Sequence, residues 1–215
     1  MSIQIIPAIL SQTEEQFKQD IEKFSHSKLA SLGWIHIDFM DDILVPNKSI
    51  SPQVVKKYPI NVKKEAHLMV AYPLKWAEKL AKAGFNRVIF HLEARDNPIQ
   101  MIKTVRARRM EVGIAINMDT SLEKLEPLIK YTDEVLVMAI TPGFQGQPFI
   151  PESITRIKKI KSMGWKVQIG VDGAVRDNNA KQLAQAGADR LTIGSFLIKE
   201  NSDRNLEVIM KALNL

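Results

Sequence analysis

Two residues at i, i+2 carry the first hint of chemistry: His36 and Asp38, inside Gly33-Trp34-Ile35-His36-Ile37-Asp38-Phe39-Met40-Asp41. Side chains alternate across a strand, so the imidazole and the carboxylate face the same way. Trp34, Ile35 and Ile37 mark that strand as buried. A histidine and an aspartate sharing one face of a buried strand serve either as an oriented structural pair or as metal ligands. Polar residues of the same kind recur where other apolar runs end: Ser11, His67, His91 with Glu93, Asn117, Thr141, Asp172 with Gly173, and Gly194 with Ser195.

Those apolar runs alternate with amphipathic segments. Strands are expected at 3–8, 33–41, 64–69, 87–91, 111–116, 134–140, 166–171 and 190–193. Between them, Phe17, Ile21 and Phe24 share one helical face, and a short helix is expected at 52–57. A third helix runs from Pro73 to Gly84 and a fourth over 98–109. A fifth opens on the capping pattern Thr120-Ser121-Leu122-Glu123. Others are expected at 152–163, 177–187 and 203–213, with a short one at 196–199. Eight strand–helix units in 215 residues, with no linker or composition break, predict an α/β chain folded as one (β/α)8 TIM barrel domain over 1–215. A doubly wound open sheet would want a glycine-rich first turn, and Pro7-Ala8-Ile9-Leu10-Ser11 is not one.

Composition removes several classes. There is no cysteine, so a metal would have to be held by His, Asp, Glu or carbonyl oxygen. The first seven residues lack the basic and apolar regions of a signal peptide, and no apolar run approaches the ~18 residues of a membrane span. A cytoplasmic protein with no membrane partner is expected. The net charge of +6 is spread over Lys56-Lys57, Lys63-Lys64, 106–109 and 158–161, without interleaved aromatics. These read as solvated helix faces, not a nucleic-acid surface, while the charge suits a small anionic substrate.

In a TIM barrel, chemistry sits at the C-terminal ends of the strands. There His36, Asp38, His67 and Asp172 would converge on one divalent metal and leave positions open for substrate oxygens. Asp38 and Asp172 would flank a substrate carbon from opposite sides, which suits inversion by proton transfer next to a carbonyl. Glycines in the loop Gly143-Phe144-Gln145-Gly146, with Gly173 and Gly194-Ser195, can offer backbone N–H groups to a phosphate. Blander readings stand beside these. His91 and Glu93 form an ordinary strand-end pair, Ser11 with Glu14 makes a helix N-cap box, and Met40, Met69 and Met138 fill core. No strand ends in lysine, which argues against a Schiff-base aldolase.

Taken together, the motifs resemble the ribulose-phosphate 3-epimerase family. They are Pro7-Ala8-Ile9-Leu10-Ser11, Ile35-His36-Ile37-Asp38-Phe39-Met40-Asp41, Val45-Pro46-Asn47, His67-Leu68-Met69-Val70, Val137-Met138, Pro142-Gly143-Phe144 with Gly146-Gln147, Val171-Asp172-Gly173 and Gly194-Ser195. The resemblance implies a ribulose-phosphate-binding barrel with His36, Asp38, His67 and Asp172 as ligands to one divalent ion per subunit. Zinc is the first choice, with manganese, iron or cobalt also accepted by such a set. It implies Asp38 and Asp172 as the acid/base pair, and Ser11 and His67 near the oxygens of a sugar phosphate. Gly143, Phe144, Gln145, Gly146, Gly173, Ala174, Gly194 and Ser195 would hold the phosphate, and Met40, Met69 and Met138 would cap the reacting carbons. The implied reaction interconverts D-ribulose 5-phosphate and D-xylulose 5-phosphate in a homo-oligomer.

Three residues depart from the family pattern. Asp42 and Ala174 stand where glycine is usual, and Gln145 where a small residue is. Alanine at 174 resists a positive φ, and Asp42 would repel phosphate if it faced inward. A ketohexose phosphate such as D-allulose 6-phosphate is the alternative substrate, and a non-catalytic phosphosugar-binding barrel the alternative function. Related decarboxylases and synthases carry Asp-x-Lys-x-x-Asp at the third strand, where this chain has Glu65-Ala66-His67-Leu68-Met69-Val70.

Overall fold

The computed structural model describes residues 3–198 and 201–215. Eight parallel strands close on themselves in chain order: β1 (Gln4–Ile9), β2 (Trp34–Met40), β3 (Lys63–Met69), β4 (Arg87–His91), β5 (Glu111–Ile116), β6 (Glu134–Met138), β7 (Gln168–Asp172) and β8 (Arg190–Ile193). Pairing of β1 with β8 completes a (β/α)8 TIM barrel. The outer layer holds α1 (Glu14–Ser25), α2 (Pro52–Lys57), α3 (Ala77–Lys82), α4 (Pro98–Arg106), α5 (Glu152–Ser162), α6 (Asp177–Ala186), α7 (Ser195–Ile198) and α8 (Ser202–Leu213). The short helix expected at 196–199 begins at Ser195, and residue 199 lies outside the described residues.

Alternation along β2 shows how the sequence sorts its side chains. Ile35, Ile37 and Phe39 belong to the large apolar layer between barrel and helices, where Phe39 packs on Trp76 and Phe85 at 5.6 and 5.7 Å between ring centroids. The intervening His36 and Asp38 face the barrel interior. Strands buried on both faces lose the simple apolar–polar alternation, and β2 is buried at all seven positions.

The interior is layered. A small apolar layer of Ile89, Ala115, Leu136 and Met138 sits within it. Toward the N-terminal ends of the strands lies a charged floor. Arg87 and Arg190 both donate to Glu134 Oε2, the latter at 2.9 Å, and Arg190 donates to Glu65 Oε2 at 2.6 Å. Both guanidinium groups lie against the Trp34 ring, at 4.9 and 5.1 Å from its centroid. Gly170 makes room for this network, because a Cβ there would collide with Glu134 Oε1. Burial and the Glu65 charge push the Glu134 carboxyl up to about 7, against the pull of Arg87.

The β5–β6 crossover departs from expectation. Where a fifth helix was expected, the chain forms two 3-10 turns, Leu122–Leu125 and Ile129–Tyr131. Pro127 explains this: it lacks an N–H and its ring crowds the carbonyl four residues back, so no α-helix crosses it. The cap there is Ser121, which accepts from Glu123 N–H, while Thr120 turns inward to Glu93. The expected box at Ser11 also moves. Thr13 caps α1 by accepting from Gln16 N–H.

Candidate active site

The strand ends deliver four ligand-type groups to one point. His36 and Asp38 come from β2, His67 from β3 and Asp172 from the end of β7. One nitrogen or oxygen from each lies within 4.8 Å of every other. Register explains part of this: Asp38 and His67 are direct cross-strand partners on neighbouring parallel strands. His67 Nδ1 lies 3.1 Å from Asp38 Oδ1 and 3.4 Å from Asp172 Oδ2. His36 Nε2 lies 3.3 Å from Asp38 Oδ1, without hydrogen-bond geometry, and has no hydrogen-bond partner.

That orphaned, fully buried nitrogen is the observation that tests the donor set against a metal. Buried polar atoms are nearly always satisfied, and a lone pair aimed into two carboxylates and a second imidazole fits a cation between them. The far nitrogen of each ring is already engaged, as ligand imidazoles usually are. His36 Nδ1 meets Glu65 Oε1 at 2.8 Å, and His67 Nε2 meets His91 Nε2 at 2.9 Å. His91 Nδ1 in turn meets Glu93 Oε2 at 3.1 Å.

Electrostatics in the cluster follow from the shortage of positive charge. Burial opposes the imidazolium of His36, but Asp38 and Glu65 outweigh it and raise its pKa well above the usual value. His67 is raised in the same way, against its burial, by Asp172 and Asp38. Burial works to raise Asp38, yet His36 and His67 hold it below the usual carboxylate range. For His91 burial prevails and lowers the pKa, keeping the ring neutral. Glu93 is held at about 2 despite burial, by His91, the Thr120 hydroxyl and Asn117 N–H.

Above the cluster opens a cavity of about 520 Å³. Asp38 and Asp172 reach its wall, as do Met40, Met69 and Met138, and so do Gly143, Phe144, Gln145, Gly146, Gly173, Ala174, Gly194 and Ser195. His36 and His67 sit fully buried behind that wall. Ser11 is not brought to it. Its hydroxyl donates to Asp20 on α1 at 2.8 Å, and the residue is buried.

The three departures now have structural values. Asp42 is exposed, lies off the cavity wall and takes φ 61°, the left-handed conformation glycine would supply. Ala174 also adopts a positive φ, 49°, so the backbone keeps the turn glycine would make, at a cost of about 1–2 kcal/mol for the alanine. Gln145 reaches across the cavity toward β8, its Nε2 3.5 Å from the place a Cβ on Gly194 would occupy. Gly173, at φ 112°, admits no side chain, since a Cβ would meet Ile140 Cγ1 at 2.5 Å.

Sequence reading missed several contributors. Asn47 Nδ2 donates to the Gly143 carbonyl at 2.7 Å and fastens the glycine loop across the barrel mouth. Thr192 lines the cavity from β8 with a buried, unpartnered hydroxyl. Arg176, placed over the Phe196 ring at 5.8 Å, is the one cationic side chain on the cavity wall among the described residues. Its position three residues after Asp172-Gly173 was the available signal, and scattered surface basics hid it.

A closed barrel with two histidines and two aspartates gathered at the strand ends defines a TIM-barrel protein with a cluster that could hold a metal ion. A family model described as "Ribulose-phosphate 3 epimerase family" matches residues 4–198. Curated relatives named ribulose-phosphate 3-epimerase include that of Mycobacterium tuberculosis, 35% identical over 75% of this chain and 73% of its own. Another, from Synechocystis sp., is 34% identical over 90% and 86%. The chain belongs to the ribulose-phosphate 3-epimerase family, and its relatives place it among the isomerases. Solved structures share the fold at low identity. 3-Hexulose-6-phosphate synthase from Salmonella typhimurium superposes with TM-score 0.73 at 15% identity, covering 99% of both chains. KGPDC from Streptococcus mutans gives 0.74 at 11%, covering 100% of this chain and 98% of that one.

Proposed function

We propose that this epimerase interconverts D-ribulose 5-phosphate and D-xylulose 5-phosphate by inversion at C3, with one divalent ion per subunit. The observation that carries the reading is the convergence of Asp38 and Asp172, from separated strands, on one cluster and one cavity wall. A cation held by His36, Asp38, His67 and Asp172 would supply positive charge to the carbonyl-side oxygens of the substrate and make the C3 proton more acidic. One aspartate takes that proton from one face of the carbon, and the other returns a proton to the opposite face; the roles exchange when the reaction runs backward.

The remaining residues hold the substrate and keep water away. Backbone N–H groups around Gly143–146, Gly173, Ala174, Gly194 and Ser195 take the phosphate, with Arg176 adding charge from the rim. Met40, Met69 and Met138 form a flexible apolar wall beside the reacting carbons, where solvent protonation would waste the intermediate. Zinc is the ion we favour for two imidazoles and two carboxylates, and manganese, iron and cobalt suit the same donors. A homo-oligomeric, cytoplasmic protein completes the proposal. Among the described residues no helix is long and apolar enough to cross a membrane.

A six-carbon ketose phosphate is the second reading. The cavity runs past the phosphate corner to Gln182 on α6 and Ile154 on α5, leaving length beyond the mouth. Hydrogen exchange at C3 in D2O, followed by NMR on ribulose 5-phosphate and allulose 6-phosphate with zinc-loaded protein, separates the readings. Exchange with formation of the C3 epimer is expected on the pentulose phosphate. Phosphosugar binding without exchange on either compound would make the chain a binding protein.

A further inference from the structure

Thr192 departs from the way this interior satisfies its polar groups. The residue is 1% exposed, and its hydroxyl has no hydrogen-bond partner among the described residues. Buried hydroxyls are nearly always paired, so an unpaired one calls for a reason. Its neighbours explain why the protein does not answer it. Along β8, Leu191 and Ile193 pack into the layer under the helices, so Arg190, Thr192 and Gly194 face the barrel interior. The Arg190 guanidinium is drawn down to Glu134 and Glu65 at the floor. On β1 the residue in register with Thr192 is the apolar Ile6, and on β7 it is Asp172.

Above Thr192 the wall of the barrel is cut away. The side chains next nearest the mouth are those of Ala8 on β1 and Gly194, which has none. They pack so closely that a Cβ on Gly194 would lie 3.9 Å from that of Ala8. Both line the cavity, and past them it reaches down to Thr192. Because the hydroxyl makes no bond inside the protein, turning χ1 to offer it to a ligand breaks none.

The order of groups along this wall suggests which part of a ligand it meets. Gly194 and Ser195 stand nearest the mouth, Thr192 is deeper on the same strand, and Asp172 is beside it. On the epimerase reading proposed above, on which this inference rests, the first two hold the phosphate and Asp172 works at C3. In a pentulose 5-phosphate a single carbon, C4, joins C3 to the phosphate-bearing C5, and it carries a hydroxyl. We propose that Thr192 is a specificity-determining residue that hydrogen-bonds the C4 hydroxyl, so that the site selects ketose phosphates hydroxylated on the carbon next to the one that is inverted. A threonine hydroxyl can donate and accept, which lets it pair with another hydroxyl in either direction.

The experiment is a cycle of two proteins and two sugars. Wild type and Thr192→Val, both zinc-loaded, are compared on D-ribulose 5-phosphate and its 4-deoxy analogue, by C3 hydrogen exchange in D2O and by calorimetric binding. Valine keeps the shape of threonine, so circular dichroism and affinity for inorganic phosphate should hold. Wild type should prefer the hydroxylated sugar ~10-fold in kcat/KM, the worth of one hydrogen bond. Thr192→Val should lose ~10-fold on ribulose 5-phosphate, stay within about twofold of wild type on the analogue, and so lose the preference. Thr192→Ser should keep it.

A wild type indifferent to the C4 hydroxyl would overturn the proposal without any variant. So would a preference undiminished in Thr192→Val. An equal loss on both sugars would overturn it as well, and would assign the hydroxyl to Asp172 instead. If wild type bound the pentulose phosphate without exchanging C3, the epimerase reading would fall. The binding cycle would then decide Thr192 by itself, with loss of the preference in affinity supporting the contact. Binding of neither sugar would overturn both.

Discussion

The two ends of the barrel interior hold similar numbers of charged groups and treat them in opposite ways. At the floor, Glu65 and Glu134 are answered by Arg87 and Arg190, and Trp34 lies against both guanidinium groups. At the mouth, Asp38 and Asp172 meet no arginine or lysine among the described residues. Only imidazoles face them, and one of those ends in an orphaned nitrogen. Burying charge is costly unless it is paired. The floor therefore reads as a closed structural network, and the mouth as a donor set suited to a cation. Glu65 joins the two, accepting from His36 on one oxygen and Arg190 on the other.

The largest effect that could break this contrast lies at the mouth. Asp172→Asn should leave the fold and phosphate affinity in place while epimerisation falls ~10³-fold or more, because on the proposed mechanism it removes an acid/base group and a metal ligand together. Turnover assays beside circular dichroism would show this, and near-normal turnover would take Asp172 out of the mechanism. Arg87→Met tests the floor. It strips Glu134 of one partner and leaves a buried carboxylate under-compensated, which should cost about 3–5 kcal/mol in a urea melt. C3 exchange in the remaining folded protein should change little. A large loss of exchange with stability intact would mean that floor and mouth are one functional unit.

How much of this was readable beforehand depends on whether the signal was local. The strands were legible because each is a short β-branched or apolar run, and β4, β5 and β8 fall on the residues expected. The His–Asp cluster was legible because period-2 spacing put His36 and Asp38 on one face and barrel topology gathers strand ends. The fifth helix failed because an apparent cap outweighed Pro127, two turns further on. The floor was not legible at all. Glu65, Arg87, Glu134 and Arg190 open or sit within four different strands, and only closure of the barrel makes them neighbours. His91–Glu93 was seen as a pair, but its link to His67 needs the pairing of β3 with β4, which no spacing in the chain reveals.

Arg176 offers the finest test of the same contrast, since it is a cation at the mouth that lines the cavity beside Val175 and Ala174 and, on the proposed function, serves the phosphate and not the metal. The guanidinium is exposed, near Phe196, on a wall whose other charged side chains among the described residues are Asp38 and Asp172. Exposed charge is screened, so its contribution should be modest, on the order of 1.4 kcal/mol, or tenfold. Arg176→Gln should accordingly raise KM for the sugar phosphate about tenfold and weaken inhibition by inorganic phosphate to match, with kcat nearly unchanged, because the group binds ground and transition states alike. Added salt should narrow the gap between variant and wild type. If instead kcat falls while KM holds, Arg176 acts on the reacting end of the substrate, and the mouth would contain a cation of its own beside the carboxylates.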